Sequence, residues 1–497
     1  MFTHDMAPTN PLEIQEIVDL VASYLWGKDV AACVCVSKSW RDSFLHHRWR
    51  TVRAGHEIDG SGCTGPGRDA VYKHRYLIQD LHLLEEMDGF CEYQYPNLRC
   101  LAINWNRCEE KNSRVLANLS MNTPTLVNLR LISVDTPPRF WDTLSTHPSI
   151  RHLSLVDQRV NVDDSKALWR VCMRLESLEM FYVDIEDGGR PVNEVFDGIR
   201  QLQLTAPEWV DDGNTPEDLC IHMYLLDLIL RSPNLESLEL DIEDRGFIRE
   251  LRVDGGWPHL KKLKLDGCIL DRYLDFIFKR GSYRPGLNTQ ASKALGSHFG
   301  SLVDVDLLGS VPVSSSTVLD LLCFCPNLEI LLAKHVLAHS VAKRGPWVCQ
   351  QLRELSIQFL MDPSDQDLQQ LIFERLSKLV RLERLTLDYD YYGTGVNRHH
   401  ALEFRLGCGL ERLTSLQQLR FVWLYTPFNC WWSPKLGMED VVWMVEKWKR
   451  LETIKGDLNN DRELTAQFRS VFESHGIAVE HNSEGSGALL RGCVLLR

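Results

Sequence analysis

Leu235-Glu236-Ser237-Leu238-Glu239-Leu240-Asp241 and Leu260-Lys261-Lys262-Leu263-Lys264-Leu265-Asp266 decide how this chain is read. In each, an apolar residue is followed by two variable ones, a second apolar, one variable and a third apolar. Working outward, the same triplet stands at Leu98/Leu101/Ile103, Leu126/Leu129/Leu131, Ile150/Leu153/Leu155, Leu175/Leu178/Met180 and Ile199/Leu202/Leu204. Beyond the quoted pair it continues at Leu302/Val305/Leu307, Leu328/Leu331/Ala333, Leu352/Leu355/Ile357, Leu382/Leu385/Leu387 and Leu416/Leu419/Phe421. A degraded copy, Leu451/Ile454/Gly456, closes the series, and Ile78/Leu81/Leu83 is a candidate to open it. Pro96, Pro124, Pro148, Pro233, Pro258 and Pro326 each lie two positions before the first apolar residue of their copy. Proline there ends a helix and starts extended chain, so it marks the register independently of the leucines.

Many copies follow one another at about 24–28 residues, the period of a leucine-rich repeat with a helix in each turn. The longer intervals, from Ile199 to Leu235 and from Leu260 to Leu302, carry insertions. Each unit is expected to place a short strand inside and a helix outside, with strands stacked in parallel because every unit turns the same way. The clearest helices are Pro216 to Arg231, opened by Thr215 and Asp218 as a capping box, and about Asp365 to Leu379 with Ser364 as its cap. A helix from Leu464 to Ser474 in the polar tail after Lys455 is placed to cap the stack. The fold class is therefore α/β: an N-terminal three-helix segment, then a repeat solenoid with a parallel inner sheet and outer helices.

The chain has 497 residues, 44% hydrophobic and 25% charged, with a formal charge of −13. An acidic balance lacks the footprint of a protein that tracks nucleic-acid phosphates or anionic membranes, so neither is expected as a partner. Met1 to Asn10 shows no secretory pattern and no apolar run approaches a membrane span. Fifteen cysteines without a regular framework fit reduced thiols in the cytoplasm or nucleus. Cys33/Cys35 and Cys323/Cys325 have one intervening residue, not the two of zinc knuckles, and read as packed helix-face cysteines. Cys493 stands one place too early for a prenylation box.

Ahead of the repeats, Ile14, Ile17, Val18, Val21 and Leu25 recur at helical spacing behind Pro11. Asp29 opens a second short helix with Val30 and Cys33, and Ser37 caps a third with Trp40 and Phe44. The stretch Pro11-Leu12-Glu13-Ile14, Tyr24-Leu25, Lys28-Asp29-Val30, Val36-Ser37-Lys38-Ser39-Trp40-Arg41 and Trp49 resembles an F-box. With the repeats, the chain resembles an F-box and leucine-rich-repeat protein. That resemblance implies a substrate receptor whose box docks on a Skp-type adaptor and, through it, a cullin. It implies that Pro11, Leu12, Ile14, Ile17, Leu25, Val30, Val36 and Trp40 build the box core or touch the adaptor. Asn10 stands where the family usually has leucine, which removes one expected apolar contact. The same helices equally suit a polar-faced cap on the first repeat.

The segments follow as residues 10–50 for the box, 51–76 for a linker with Gly55, Gly60, Gly62, Gly65 and Gly67, 77–456 for the repeats and 457–497 for a capping tail.

On each inner strand the second and third apolar positions point into the core, so the residues alternating with them face outward. These candidate target-binding residues are Glu239, Asp241, Lys262, Lys264, Asp266, Asp304 and Asp306. Charges on such a wall complement a partner, or serve solubility alone. Two further candidates are the basic insertion with Lys279, Arg280, Arg284 and Lys293, and the aromatic run Trp423, Tyr425, Phe428, Trp431 and Trp432, which fills a loop core equally well. No phosphate-binding loop, nucleophile elbow or His-Glu-x-x-His appears. His399 and His400, and Asp388 and Asp390, lack the partners that metal binding or acid–base work requires. The expectation is a receptor without catalysis, cofactor or metal, with a ligase-independent repeat scaffold as the alternative.

Overall fold

The computed structural model describes residues 14–54, 67–84, 90, 93–104, 125–134, 136, 139–186, 194–205, 225, 227–241, 257–266, 299–309, 313–362, 364–387, 402–424, 436–456, 458–459 and 461–480. The chain divides into two compact units, Met1–Ser232 and Pro233–Arg497. No helix among the described residues is long and apolar enough to cross a membrane.

The first unit opens with three helices, α1 (Gln15–Ser23), α2 (Gly27–Val36) and α3 (Lys38–Arg50). Helix α2 starts before Asp29, whose carboxylate accepts the Trp26 backbone N–H at 3.3 Å as the third residue of the turn. Ser37 caps α3 by accepting the Trp40 N–H at 3.1 Å, as its position predicts. Val18, Ala22, Val30 and Phe44 are buried together, with Leu25, Cys33, Val34 and Trp40 packed against them. Cys35, expected to pack, is exposed.

Helix α3 runs straight into strand β1 (Thr51–Ala54). Val52 and Ala54 pair with Leu81 and Leu83 of β2 (Asp80–Leu84), so the sheet begins inside the stretch assigned to a linker. Trp49, Val52 and Ala54 are buried and form a copy of the repeat that precedes Ile78/Leu81/Leu83. Small side chains and a helix immediately before them hide it from a leucine search. Helix α4 (Arg68–His74) also falls within that stretch, and His74 stacks on Trp49 with ring centroids 4.6 Å apart. Gly55 to Gly65 lie outside the described residues.

Parallel pairing continues through β3 (Cys100–Asn104), β4 (Asn128–Ile132) and β5 (His152–Val156). Strand β6 (Arg159–Val160) leaves this layer, β7 (Ser177–Phe181) rejoins it, and β8 (Asp184–Ile185) pairs with β6 as a separate two-strand ladder. Strand β9 (Gln201–Thr205) pairs with β7. Helices α5 (Phe140–Ser145) and α6 (Val162–Cys172) form the second layer, and they bury Trp141 and Trp169.

The second unit repeats this design with β10 (Ser237–Asp241), β11 (Lys262–Asp266), β12 (Asp304–Asp306), β13 (Ile330–Leu337), β14 (Glu354–Leu360), β15 (Arg384–Leu387), β16 (Phe421–Leu424), β17 (Thr453–Gly456) and β18 (Ala478–Glu480). All pair in parallel and in chain order. Its outer helices are α7 (Ser315–Phe324), α8 (Ala338–Ala342), α9 (Gln366–Ser377), α10 (Met438–Lys447) and α11 (Arg462–Ser474). Both units are thus α/β with parallel sheets, compatible with a repeat solenoid.

Leu238, Leu263, Val305, Leu331, Leu355, Leu385, Val422 and Ile454 stack in register and are fully buried. Each contributes about 1.5–3 kcal/mol by leaving water. One copy is shifted from its expected place. Leu385 and Leu387 pair with Val422 and Leu424, so the twelfth copy is Leu419/Val422/Leu424 and not Leu416/Leu419/Phe421. Apolar residues at 416, 419, 421, 422 and 424 satisfy both phases, and only pairing with β15 chooses.

Helix α9 is capped by Asp365, which accepts the Leu368 N–H at 3.0 Å, while Ser364 bonds to Asp362 instead. Helix α11 has Asp461 as its cap and is followed by β18, so the tail extends the sheet as well as covering it. The capping box at Thr215 and Asp218 lies outside the described residues, although 227–230 are helical.

Gly456 occupies the third core position of its copy because φ there is +124° and a Cβ would collide with the Leu424 carbonyl oxygen. Gly476, at φ +76°, has open space around the same position. Thermal unfolding should show Gly476→Ala costing about 1–2 kcal/mol from backbone strain alone, and Gly456→Ala clearly more. Equal losses would mean that the Leu424 contact is not tight.

Candidate functional site

The helical segment buries little and shows much. Leu20, Val21, Tyr24 and Trp26 are exposed, Tyr24 by 80% and Trp26 by 77%. For Leu20 and Val21 the cause is local: one face of α1, through Val18 and Ala22, meets the core, so apolar residues elsewhere on that helix point to water, while Tyr24 and Trp26 stand in the turn between α1 and α2. Among the sequence candidates, Val30 is in the core and Leu25 and Trp40 pack against it. Ile17 is half-buried, while Ile14 and Val36 are exposed. Pro11 and Leu12 lie outside the described residues. The candidates therefore divide into interior and outward groups, and the outward group gains Leu20, Val21, Tyr24 and Trp26. In the sequence Val21 falls on the apolar face of the helical spacing. A large exposed apolar group on a small helical unit marks a contact surface more often than scattered single residues do.

In the second unit, pairing brings the charged candidates side by side. Glu239, Lys264 and Asp306 form one row, Lys262 opposes Asp304, and Asp241 opposes Asp266. Lys264 Nζ donates to Glu239 Oε1. Burial opposes the Lys264 charge, but the Glu239 hydrogen bond and the charges of Glu239, Asp306 and Asp266 outweigh it and raise the pKa. Burial pushes the half-buried Asp306 carboxyl up, against the Leu308 N–H it accepts at 3.0 Å and the nearby Lys264 charge. Five carboxylates share this patch with two ammonium groups, so it retains negative charge suited to a basic segment of a partner.

The same outward rows continue to an aromatic stretch. Arg384 lies over the Phe421 ring at 4.5 Å and Lys455 over the Trp423 ring at 4.3 Å. Such contacts are worth about 0.5–2 kcal/mol and hold both the ring and the cation in place. Phe421 was expected in the core and is only half-buried here, a consequence of the shifted register. Trp423 belongs to the predicted aromatic run, whereas Tyr425, Phe428, Trp431 and Trp432 lie outside the described residues. So do the basic insertion from Lys279 to Lys293, His399, His400, Asp388 and Asp390.

The charged candidates all lie on three strands, β10, β11 and β12. The corresponding positions of the first unit hold Arg53, His82 and Arg130 in one row. Burial, then the positive charges of Arg53 and Arg130, lower the His82 pKa against the pull of Asp80. The alternation that found Glu239 and Lys264 would have found His82 and Arg130 as well, whereas Arg53 lies on a strand whose small residues hide it.

Lys264→Met tests the charged patch. Its side chain is 29% exposed and that of Glu239 21%, so the loss should be about 1–2 kcal/mol, between surface and buried pairs. A carboxyl whose folded pKa exceeds its unfolded value loses stability as pH rises between the two. Removing Lys264 should move the Asp306 titration higher and carry that loss to higher pH, measurable by carboxylate NMR. An unmoved Asp306 would contradict the arrangement.

No family model matches this sequence, and no curated protein matches it. Among solved structures, the chain is similar to one described as the crystal structure of the Rad7 and Elc1 complex in yeast. The identity is 12%, the coverage 92% of this chain and 96% of that one, and the TM-score 0.34.

Proposed function

We propose that this chain is the substrate-recognition subunit of a cullin-based ubiquitin ligase, acting in the cytoplasm or nucleus. Its N-terminal helices bind a Skp-type adaptor and its repeats bind the target protein. The observation that carries this reading is the outward apolar group Ile14, Leu20, Val21, Tyr24, Trp26 and Val36 on helices whose sequence resembles an F-box. A segment that served only to cap the first repeat would turn such residues inward. In this reading Pro11 and Leu12 add to the adaptor contact. Glu239, Asp241, Lys262, Lys264, Asp266, Asp304 and Asp306 read a target segment rich in basic residues.

The protein performs no bond chemistry on this account. Rate comes from holding a target lysine beside a charged ubiquitin carrier, which replaces a bimolecular encounter by a high effective concentration. The competing reading, a ligase-independent scaffold, uses the same sheet positions and leaves the helical surface unoccupied.

Co-expression of the full chain with a Skp-type adaptor, followed by size-exclusion chromatography, should give co-elution. Tyr24→Glu combined with Val36→Glu should weaken the complex at least about tenfold. Thermal stability should stay close to the parent's, because both side chains are exposed. Absence of co-elution by the parent chain would favour the scaffold.

A further inference from the structure

We propose that Asp19 on α1 and His46 and His47 on α3 form a site for Zn²⁺ or a similar divalent transition ion. The inference stands apart from the ligase reading, since it rests only on the helical segment. Both imidazoles converge on one oxygen. His47 Nε2 lies 2.9 Å and His46 Nε2 3.4 Å from Asp19 Oδ1, and all three ligand atoms fall within 4.8 Å of one another. A tetrahedral ion about 2.0–2.1 Å from each ligand atom sets those atoms roughly 3.4 Å apart, so the observed spacing is already close to a coordination shell.

Hydrogen bonding explains this convergence less well. Gln15 Nε2 also donates to Asp19 Oδ1, at 2.6 Å, which brings three nitrogens to one oxygen that has two lone pairs. Consecutive residues on a helix normally point about 100° apart, yet the His46 and His47 ring centroids are only 3.8 Å apart. A cation resolves both features. Neutral imidazoles become ligands instead of competing donors, and Gln15 becomes the outer partner that orients the carboxylate. Two imidazoles and a carboxylate suit zinc and its neighbours in the transition series, while magnesium and calcium prefer oxygen throughout.

The exposures fit an accessible site. His47 is 12% exposed, His46 40% and Asp19 52%, which leaves room for a water or a partner's side chain to complete the coordination. The ion would join the first helix to the third across a core made chiefly of Val18, Ala22, Val30 and Phe44. Helical units of this size commonly need such a staple.

The test uses the full-length chain, stripped with chelator under reducing conditions and titrated with Zn²⁺ alone against a chromophoric indicator. One site is expected, weakened at least tenfold by Asp19→Asn and by His46→Gln with His47→Gln, and unchanged by the remote His475→Gln. Zn²⁺ binding that survives both site variants, or no binding by the parent chain, overturns the proposal. Should the variants fail to fold, the Co²⁺ spectrum of the native chain decides. Nitrogen and oxygen ligation without thiolate charge transfer supports the site, and thiolate ligation contradicts it.

Discussion

In twelve of the described repeats one backbone carbonyl, on the residue after the first apolar position, accepts two N–H groups from the next turn. In the first unit these acceptors are Gln79, Arg99, Val127, Arg151 and Glu176. In the second they are Glu236, Lys261, Val303, Glu329, Arg353, Glu383 and Arg420. The carbonyl of Arg50, at the end of α3, accepts the Gln79 N–H at 2.9 Å and starts the seam. Two parallel strands with no hairpin between them need something to fix their stagger, and this shared oxygen fixes it at the strand entrance. Everything downstream inherits that phase: which leucines enter the core, which side chains face outward, and which cations lie over which rings.

The seam also explains why unequal repeats coexist. Only the entrance and the three apolar positions must match, so extra residues are tolerated between strands at a small entropic cost that grows slowly with length. The side chains at the seam reinforce it modestly. Arg353 pairs with Glu383 at 2.9 Å and Arg420 with Glu452 at 2.6 Å, charge pairs on adjacent turns. Because α3 enters β1 without a linker, the first unit carries its helices directly on a sheet.

Most of the fold was legible because the repeat fixes both spacing and direction. Ser37 as a cap, the outward rows at Glu239 and Lys264, and the helix ending at Ser474 all followed from local chemistry. The failures share a cause, since each needed a contact from another turn. The phase at Leu419 is chosen by β15, and the strand at Thr51 is revealed by its pairing with Leu81, not by its own small residues. Asp365 displaced Ser364 because Asp362 occupied the serine. The convergence of Asp19 with His46 and His47 was invisible for the same reason: separate helices bring them together.

Hydrogen exchange on the full chain, with and without a Skp-type adaptor, tests the central claim most directly. The account predicts slower exchange within residues 14–36, where the outward apolar side chains lie, and unchanged exchange in strands β10 to β17. Protection confined to the strands, or none at saturating adaptor, would contradict it.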